Sequence, residues 1–316
     1  MLTDVEIGTF EREGVLVVPD LVPADVLASV RADYEALLAR LCRAWHAEGL
    51  MPDPAPMTFE ERLFAATQRG LDWFQPMDIS LPGGPIAADT PMHFSAPVFA
   101  MATAPRLLDA VEALIGPEIT SNPIQHVRIK LPERRLAPDE ERPHVGATAW
   151  HQDRGVAHPE ADATRMVTVW IAVTDATEEN GCLQAVPSGH RAGMATHCPG
   201  PGQLAIPPAL FDIDRARPLP VPRGGAVFLH PLTPHAALPN TSEGIRWSFD
   251  LRYNVTGEPT GRAHFPSFVA RSRRDPASEL RDWTRWRADW EAARRRLAAA
   301  PHIPIHRWSG EQPVCA

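Results

Sequence analysis

The sequence predicts a mainly β fold, a sandwich or barrel with helices at its flanks. Three observations carry this expectation. From Ile119 onward the chain is a series of short apolar runs bounded by Gly and Pro, the texture of an all-β core. One run, "RWSFDLRYN", alternates cleanly, with Trp247, Phe249, Leu251 and Tyr253 on one face and Arg246, Ser248, Asp250 and Arg252 on the other. Helical periodicity is confined to the two ends of the chain.

The elements follow in order. Thr3 can cap a helix over "DVEIGTFERE" that Gly14 ends. "VLVVP" is a short β-branched strand. "PADVLASVRADYEALLARLCRAW" repeats apolar residues at helical spacing. From Met51 to Pro97 the chain is rich in Pro, Gly, Met and Phe without a period, which predicts ordered loops and short helices beside a pocket. "APRLLDAVEALIG" is a helix closed by Gly116. The strands are "IQHVRIKL", "RMVTVWIAV", "GCLQAVP", "GAVFLHP" and "RWSFDLRYN". The β-branched density of the second predicts burial on both faces. The segment "DPASELRDWTRWRADWEAARRRLAAA" predicts a helix with Pro276 in its first turn and a tryptophan stripe packed on the outside of the barrel. No repeat or low-complexity linker divides the chain. One domain is expected over 1–316, with a helical N-terminal part (1–118), a β core (119–256) and a tail with a helix (257–316).

Composition narrows the function. Hydrophobic residues make up 44% and charged residues 22% of 316, ordinary values for a globular protein. A net charge of −8 argues against nucleic acid as a partner. No apolar run approaches a membrane span, and no secretory segment opens the chain. Cys42, Cys182, Cys198 and Cys315 are scattered, which predicts free thiols and a cytoplasmic protein. A small-molecule ligand and a monomer or homodimer are the expected partners. Among 31 basic residues a single one, Lys130, is a lysine. Such a position can favour a slim point charge over a planar fork.

The stretch "AWHQDRGVAH" holds His151 and Asp153 two residues apart. On an extended segment both point to one face and can share one ion. A third ligand must come from elsewhere, with His158, His190, His197, His230 and His235 as candidates. Two imidazoles and a carboxylate on one face of an octahedron suit Fe(II) with open positions. Zinc can use similar ligands.

The surroundings extend the pattern. "WHQDRGVAHPEADATRMVTVWIAVTDATEENGCLQAVPSGHRAG" resembles the core of the phytanoyl-CoA dioxygenase (PhyH-like) family of Fe(II)/2-oxoglutarate-dependent oxygenases. Asp175, Asn180, Gly181, Leu183, Pro187 and His190 fit the family run, with Ser188-Gly189 in place of Gly-Ser. "HAALPNTSEGIRWSFDLRY" resembles the family's distal segment, and "TFEREGVLVVPDLVPADVLASVRADYEALL" its usual start. The resemblance runs from Thr3 to Asn254, is weak from Met51 to Thr120 and stops near Gly257.

The resemblance implies a double-stranded β-helix (jelly-roll, cupin-like) core and an oxidoreductase that uses Fe(II), 2-oxoglutarate and O2. It makes His151, Asp153 and His235 the catalytic metal ligands. It makes Arg246, 11 residues beyond His235, the partner of the co-substrate's far carboxylate. A guanidinium suits a planar carboxylate because it gives two parallel hydrogen bonds. Lys130 and Trp170 match positions near the co-substrate. The family often carries a co-substrate-binding serine where Ala237 stands, so Thr233 or Ser248 is expected to supply that hydrogen bond. His190 is expected to hold its loop, His230 to sit behind the ligands, and His158 to lie on a loop. Relatives that halogenate lack the carboxylate, so Asp153 favours hydroxylation of an unactivated C–H in a small, partly apolar metabolite. Desaturation, epoxidation and cyclisation use the same cofactors. A zinc hydrolase and a non-catalytic ligand-binding barrel are the rival classes; the first lacks a Glu base of the H-E-x-x-H kind.

Overall fold

The computed structural model describes residues 2–136, 140, 142–200 and 202–315. Helix α1 (Asp4–Glu13) begins with Thr3 and Glu6 satisfying each other's backbone N–H groups and ends at Gly14, whose φ of 69° is left-handed. Strand β1 (Val15–Val18) and helix α2 (Ala24–Ala47) follow, then α3 (Phe59–Thr67), α4 (Ala96–Ala102) and α5 (Pro105–Ile115). The β region comprises β2 (Glu118–Lys130), β3 (Thr148–His151), β4 (Met166–Ala172), β5 (Leu183–Ala185), β6 (Cys198–Pro199), β7 (Leu204–Ala205), β8 (Arg217–Leu219), β9 (Ala226–Leu229), β10 (His235–Ala237), β11 (Arg246–Val255) and β12 (Phe268–Ser272). Helix α6 (Trp283–Ala298) comes last.

Two antiparallel sheets form the jelly roll. The larger has the order β1-β9-β4-β11-β2-β12, the smaller β3-β10-β5-β8. The alternation of β11 separates two interiors rather than core from water. Trp247, Phe249, Leu251 and Tyr253 join the main apolar cluster under the helices. Tyr34 of α2 packs edge-on against Phe249 with ring centroids 5.7 Å apart. Arg246, Ser248, Asp250 and Arg252 are equally buried on the opposite face. That face looks into the roll, where polar groups persist only with partners.

The tail departs from expectation. Helix α6 starts at Trp283, capped by the Asp282 side chain, and Pro276 lies in a separate 3-10 turn. The aspartate side chain satisfies the Thr284 N–H, which Pro276 has no means to do. The tryptophan stripe packs partly on helix α4 and the loop before it: Trp290 stacks on Phe94 and Trp286 tilts against Phe99. Strand β12, beyond the expected core, adds an edge to the larger sheet.

Cys198 and Cys315 form a disulfide, whereas Cys42 and Cys182 are free and buried. This corrects the expectation of four free thiols: residues 117 apart in sequence meet because the tail folds back over the roll. Trp308 donates its indole N–H to Gly155 O and stacks on His197, and Arg307 pairs with Asp162. No helix among the described residues is long and apolar enough to cross a membrane.

Two measurements check this packing. Peptide mapping without reductant is expected to recover Cys198 linked to Cys315, and Cys315→Ser to lower unfolding free energy by about 2–4 kcal/mol. His197 supports the end of β3, accepting a hydrogen bond from Gln152 N on Nε2 at 2.9 Å. Burial pushes this imidazole down to about 4. Protonation removes the acceptor, so the unfolded chain takes up its proton first as the solution is acidified. Stability is therefore complete above pH 6.5 and falls between there and about pH 4. The slope from this residue is at most about 1.4 kcal/mol per pH unit. Urea denaturation with His197→Gln beside the parent checks it: the variant is expected to lose that part of the pH dependence.

Candidate active site

Strands β3 and β10 place the two imidazoles. They pair antiparallel with His235 directly opposite His151, and the ring centroids are 4.2 Å apart. Each imidazole is turned the same way by its own backbone. His151 Nδ1 meets Ala149 O at 2.9 Å and His235 Nδ1 meets Thr233 O at 3.0 Å. A ring nitrogen facing a carbonyl carries the proton, so both Nε2 lone pairs face inward, free to ligate. Burial, then the neighbouring His235, pushes His151 down to about 3, so its imidazole is neutral at pH 7.

Asp153 sits in the 3-10 turn that follows β3. Its carboxylate lies 3.9 Å from each Nε2. The three ligand atoms all fall within 4.8 Å of one another, and all three residues are buried. Thr168 on β4 donates to Asp153 Oδ2 at 2.6 Å, and Arg252 on β11 pairs with Oδ1. Burial alone raises a carboxyl pKa; Arg252 and the two imidazoles outweigh it and hold Asp153 well below its usual range. The donor set, two imidazoles with inward Nε2 atoms and one fixed carboxylate, fits a divalent ion such as Fe(II) with open positions.

A narrow inner pocket adjoins the triad, lined by Arg246, Trp170, Ala237, Leu183 and Leu229 among others. Arg246 is fully buried. Its Nε donates to Gly181 O at 3.1 Å and its Nη1 to Ser248 Oγ at 2.7 Å, while Nη2 has no partner. Gly181 has a φ of 88°, and a Cβ there would strike Leu238 O. Asn180, which caps the preceding turn by binding Thr177 N and Asp175 O, holds that loop in place. The Asn-Gly pair thus explains itself: it presents a carbonyl to Arg246. The guanidinium lies over the Trp170 ring at 4.9 Å.

Lys130 pairs across strands with Arg246 and is wholly buried, its Nζ donating to Thr148 Oγ1 at 2.9 Å. A solvent-exposed lysine on an edge strand is therefore excluded: β2 lies between β11 and β12. Burial, then Arg246 and Arg128, lowers Lys130 well below its ordinary value, and burial pushes Arg246 down to about 9. Arg246 and Arg128 line this pocket, with Lys130 behind Arg246, and Asp250 is the single acidic residue lining it among the described residues. Such a pocket, with a donor held ready on Nη2, fits a small dianion like 2-oxoglutarate.

Some expected residues lie elsewhere. Thr233 gives its hydroxyl to Gly14 O at 2.7 Å and lines neither cavity, so it ties α1 to the roll instead of meeting a co-substrate. Ser248 Oγ accepts from Arg246 Nη1, and Ser248 lines neither cavity. His230 packs on His190 at 4.8 Å, and His158 reaches Pro304 O on the tail. Ser188 adopts the left-handed φ of 62° in the Pro-Ser-Gly-His turn. Four contributors escaped sequence reasoning: Thr168, Arg252, Arg128 and Thr148. Thr148 stands opposite Ala237 in the β3–β10 register and lines both cavities. Its hydroxyl occupies the neighbourhood of the missing family serine. Its position on β3, three residues before His151, was the available clue.

An outer cavity of about 480 Å³ meets the inner pocket at His151, Arg128 and Thr148. Its walls come from Gly83 in the stretch expected beside a pocket, from Pro143, from Leu204 of β7, from Ile124 of β2, and from Ile305 and His306 of the tail.

Comparison with known proteins agrees with this geometry. The family model described as phytanoyl-CoA dioxygenase (PhyH) matches residues 10–248. The chain is 34% identical over 117 residues to phytanoyl-CoA dioxygenase domain-containing protein 1 of Rattus norvegicus, covering 34% of this chain and 40% of that protein. It is 28% identical over 148 residues to L-proline trans-4-hydroxylase of Streptomyces griseoviridis, covering 40% and 53%. The matched segments thus span roughly half or less of these relatives' length. Among solved structures, the non-heme monooxygenase ThoJ superposes with a TM-score of 0.59 at 18% identity, over 93% of this chain and 97% of the other. EvdO2 from Micromonospora carbonacea var. aurantiaca gives 0.54 at 20%, over 81% and 91%. At these identities the structural likeness is one of fold. The match of the family model to most of the chain, over a roll that carries the motif residues at one site, establishes that this protein belongs to the phytanoyl-CoA dioxygenase (PhyH) family.

Proposed function

We propose that this protein is a non-haem Fe(II)/2-oxoglutarate-dependent dioxygenase that hydroxylates an unactivated C–H of a small, partly apolar molecule. One observation carries the reading: two Nε2 atoms and a carboxylate converge beside a pocket whose buried arginine keeps one donor free. His151, Asp153 and His235 hold the metal. Bound Fe(II) supplies activation of O2, coupled to oxidative decarboxylation of 2-oxoglutarate to succinate and CO2.

The protein's own residues do the positioning. Arg246 takes the far carboxylate of the co-substrate through Nη2, with Ser248 and Gly181 O fixing the guanidinium plane. Lys130 lies behind it and donates to Thr148, which stands opposite Ala237 and passes its own hydroxyl hydrogen bond to Pro143 O. Trp170 forms the apolar wall. The substrate occupies the outer cavity, where Ile124, Val156, Leu204 and Ile305 exclude water. A hydrolase needs a free base near the metal. Asp250 is the one further carboxylate lining these cavities among the described residues; burial alone would raise its pKa, but Arg252 and Arg128 outweigh that and hold it below its usual range, paired rather than free. That disfavours the zinc-hydrolase reading.

Three outcomes test this. Anaerobic addition of Fe(II) and 2-oxoglutarate is expected to produce a weak visible charge-transfer band, absent in His235→Ala. A protein with neither that band nor O2-dependent succinate has a different reaction. Arg246→Gln is expected to weaken 2-oxoglutarate binding about thirtyfold, near 2 kcal/mol, with Co(II) affinity retained in calorimetry. Asp153→Asn is expected to lower Co(II) affinity by at least about 100-fold. It also deprives Arg252 of a buried partner, so its urea midpoint falls as well.

A further inference from the structure

Three arginines line the outer cavity: Arg128, Arg252 and Arg262. Among the described residues, no Asp or Glu lines it. Two of the three are matched by acids behind the wall. Arg128 donates twice to Asp250 Oδ2, at 3.2 and 2.8 Å. Arg252 pairs with Asp153 and lies 3.8 Å from Asp250. Two guanidinium charges thus face two carboxylates.

Arg262 is the remainder. It is 5% exposed and has no ion pair among the described residues. Of its side-chain donors one is used: Nη2 bonds Val156 O at 2.7 Å. Nε is buried without a partner. Phe265 covers one side at 5.9 Å. Val156 ends the same 3-10 turn that carries Asp153, so the guanidinium is moored to the metal-binding turn. Burial and the like charge of Arg252 push it down to about 10, which leaves it protonated at neutral pH. A buried, charged, half-bonded fork costs stability unless a ligand completes it.

We propose that the outer cavity recognises a substrate carrying an oxyanion, a carboxylate or a phosphonate-type group, and that Arg262 is its anchor. The apolar remainder lies along Ile124, Val156, Leu204 and Ile305. The fork fixes one end of the substrate, and the C–H presented to the metal is set by its distance from that end. Of the histidines lining the cavity, His306 is lowered by burial and then by Arg262, and His144 by burial and then by His126, so neither competes with Arg262 for an anion at neutral pH. The proposal rests on the oxygenase reading for the metal site but addresses a different cavity.

The test uses the protein loaded anaerobically with Fe(II) and saturating 2-oxoglutarate, so that carboxylate probes do not enter the inner pocket. Hexanoate, hexylphosphonate and uncharged hexanamide are titrated while the charge-transfer band and the thermal midpoint are followed. At least one anion is expected to bind about tenfold or more tightly than hexanamide, the ratio one charge-assisted hydrogen bond supports. Which of the two binds identifies the oxyanion. Arg262→Gln is expected to abolish the preference and Arg262→Lys to keep part of it, both retaining the band. A preference that survives in Arg262→Gln, or anions held no better than hexanamide by the parent, overturns the proposal. Should Arg262→Gln fail to fold, the parent comparison and Arg262→Lys still decide. Absence of the band in the parent is instead the failure of the oxygenase reading.

Discussion

A carboxylate that is to ligate a metal cannot be buried alone, and Asp153 is 1% exposed. Its desolvation is offset by Arg252, which reaches across the roll from the larger sheet to the turn after β3 in the smaller one. Arg252 in turn approaches Asp250, and Asp250 accepts from Arg128. This chain of alternating charges runs through the roll's interior and joins its two sheets. Breaking one member strands the others, because a buried charge is tolerated only when paired. The inward polar face of β11 exists to supply this chain, and its outward aromatic face exists to seat the helices that cover the sheet.

The two cavities divide their work by charge. The inner pocket concentrates Arg246, Lys130 and Arg128 around a narrow space and leaves one donor of Arg246 unspent. The outer cavity balances two arginines and leaves Arg262 over. Both are unfavourable as they stand, and both become favourable when an anion enters, so each pocket stores part of its selectivity as unmatched charge. The tail matters to the outer cavity and, through Trp308 on Gly155 O, to the turn that carries Asp153. Ile305 and His306 form part of its wall, moored by Trp308, Arg307 and the Cys198–Cys315 disulfide.

Much of the core was legible in the sequence for local reasons. Period-two alternation in "RWSFDLRYN" marked both faces of β11, although burial of the polar face depended on a second sheet invisible at that range. The spacing of His151 and Asp153 put both on one face, a weak sign by itself; the pair, like His235 and Arg246, needed the family resemblance, because nothing local distinguishes one histidine of five. The rarity of lysine pointed to Lys130, and the residue is buried against Thr148 and opposite Arg246. What stayed hidden is tertiary. Arg252 read as one more polar residue on a strand, and Thr233 read as a possible hydroxyl donor until its distance to Gly14 O was known. The pairing of Cys198 with Cys315 depends on how the tail returns across the roll, which no spacing encodes.

His151 and His235 are 84 residues apart in sequence, yet they stand opposite each other as paired neighbours on β3 and β10. Closing so long a loop is entropically expensive and contributes nothing until both strands dock. The ligand set therefore cannot pre-exist in a half-folded chain, where scattered imidazoles and thiols would otherwise take up whatever cation was abundant. On the proposed function, metal capture becomes a late event, conditional on the finished roll.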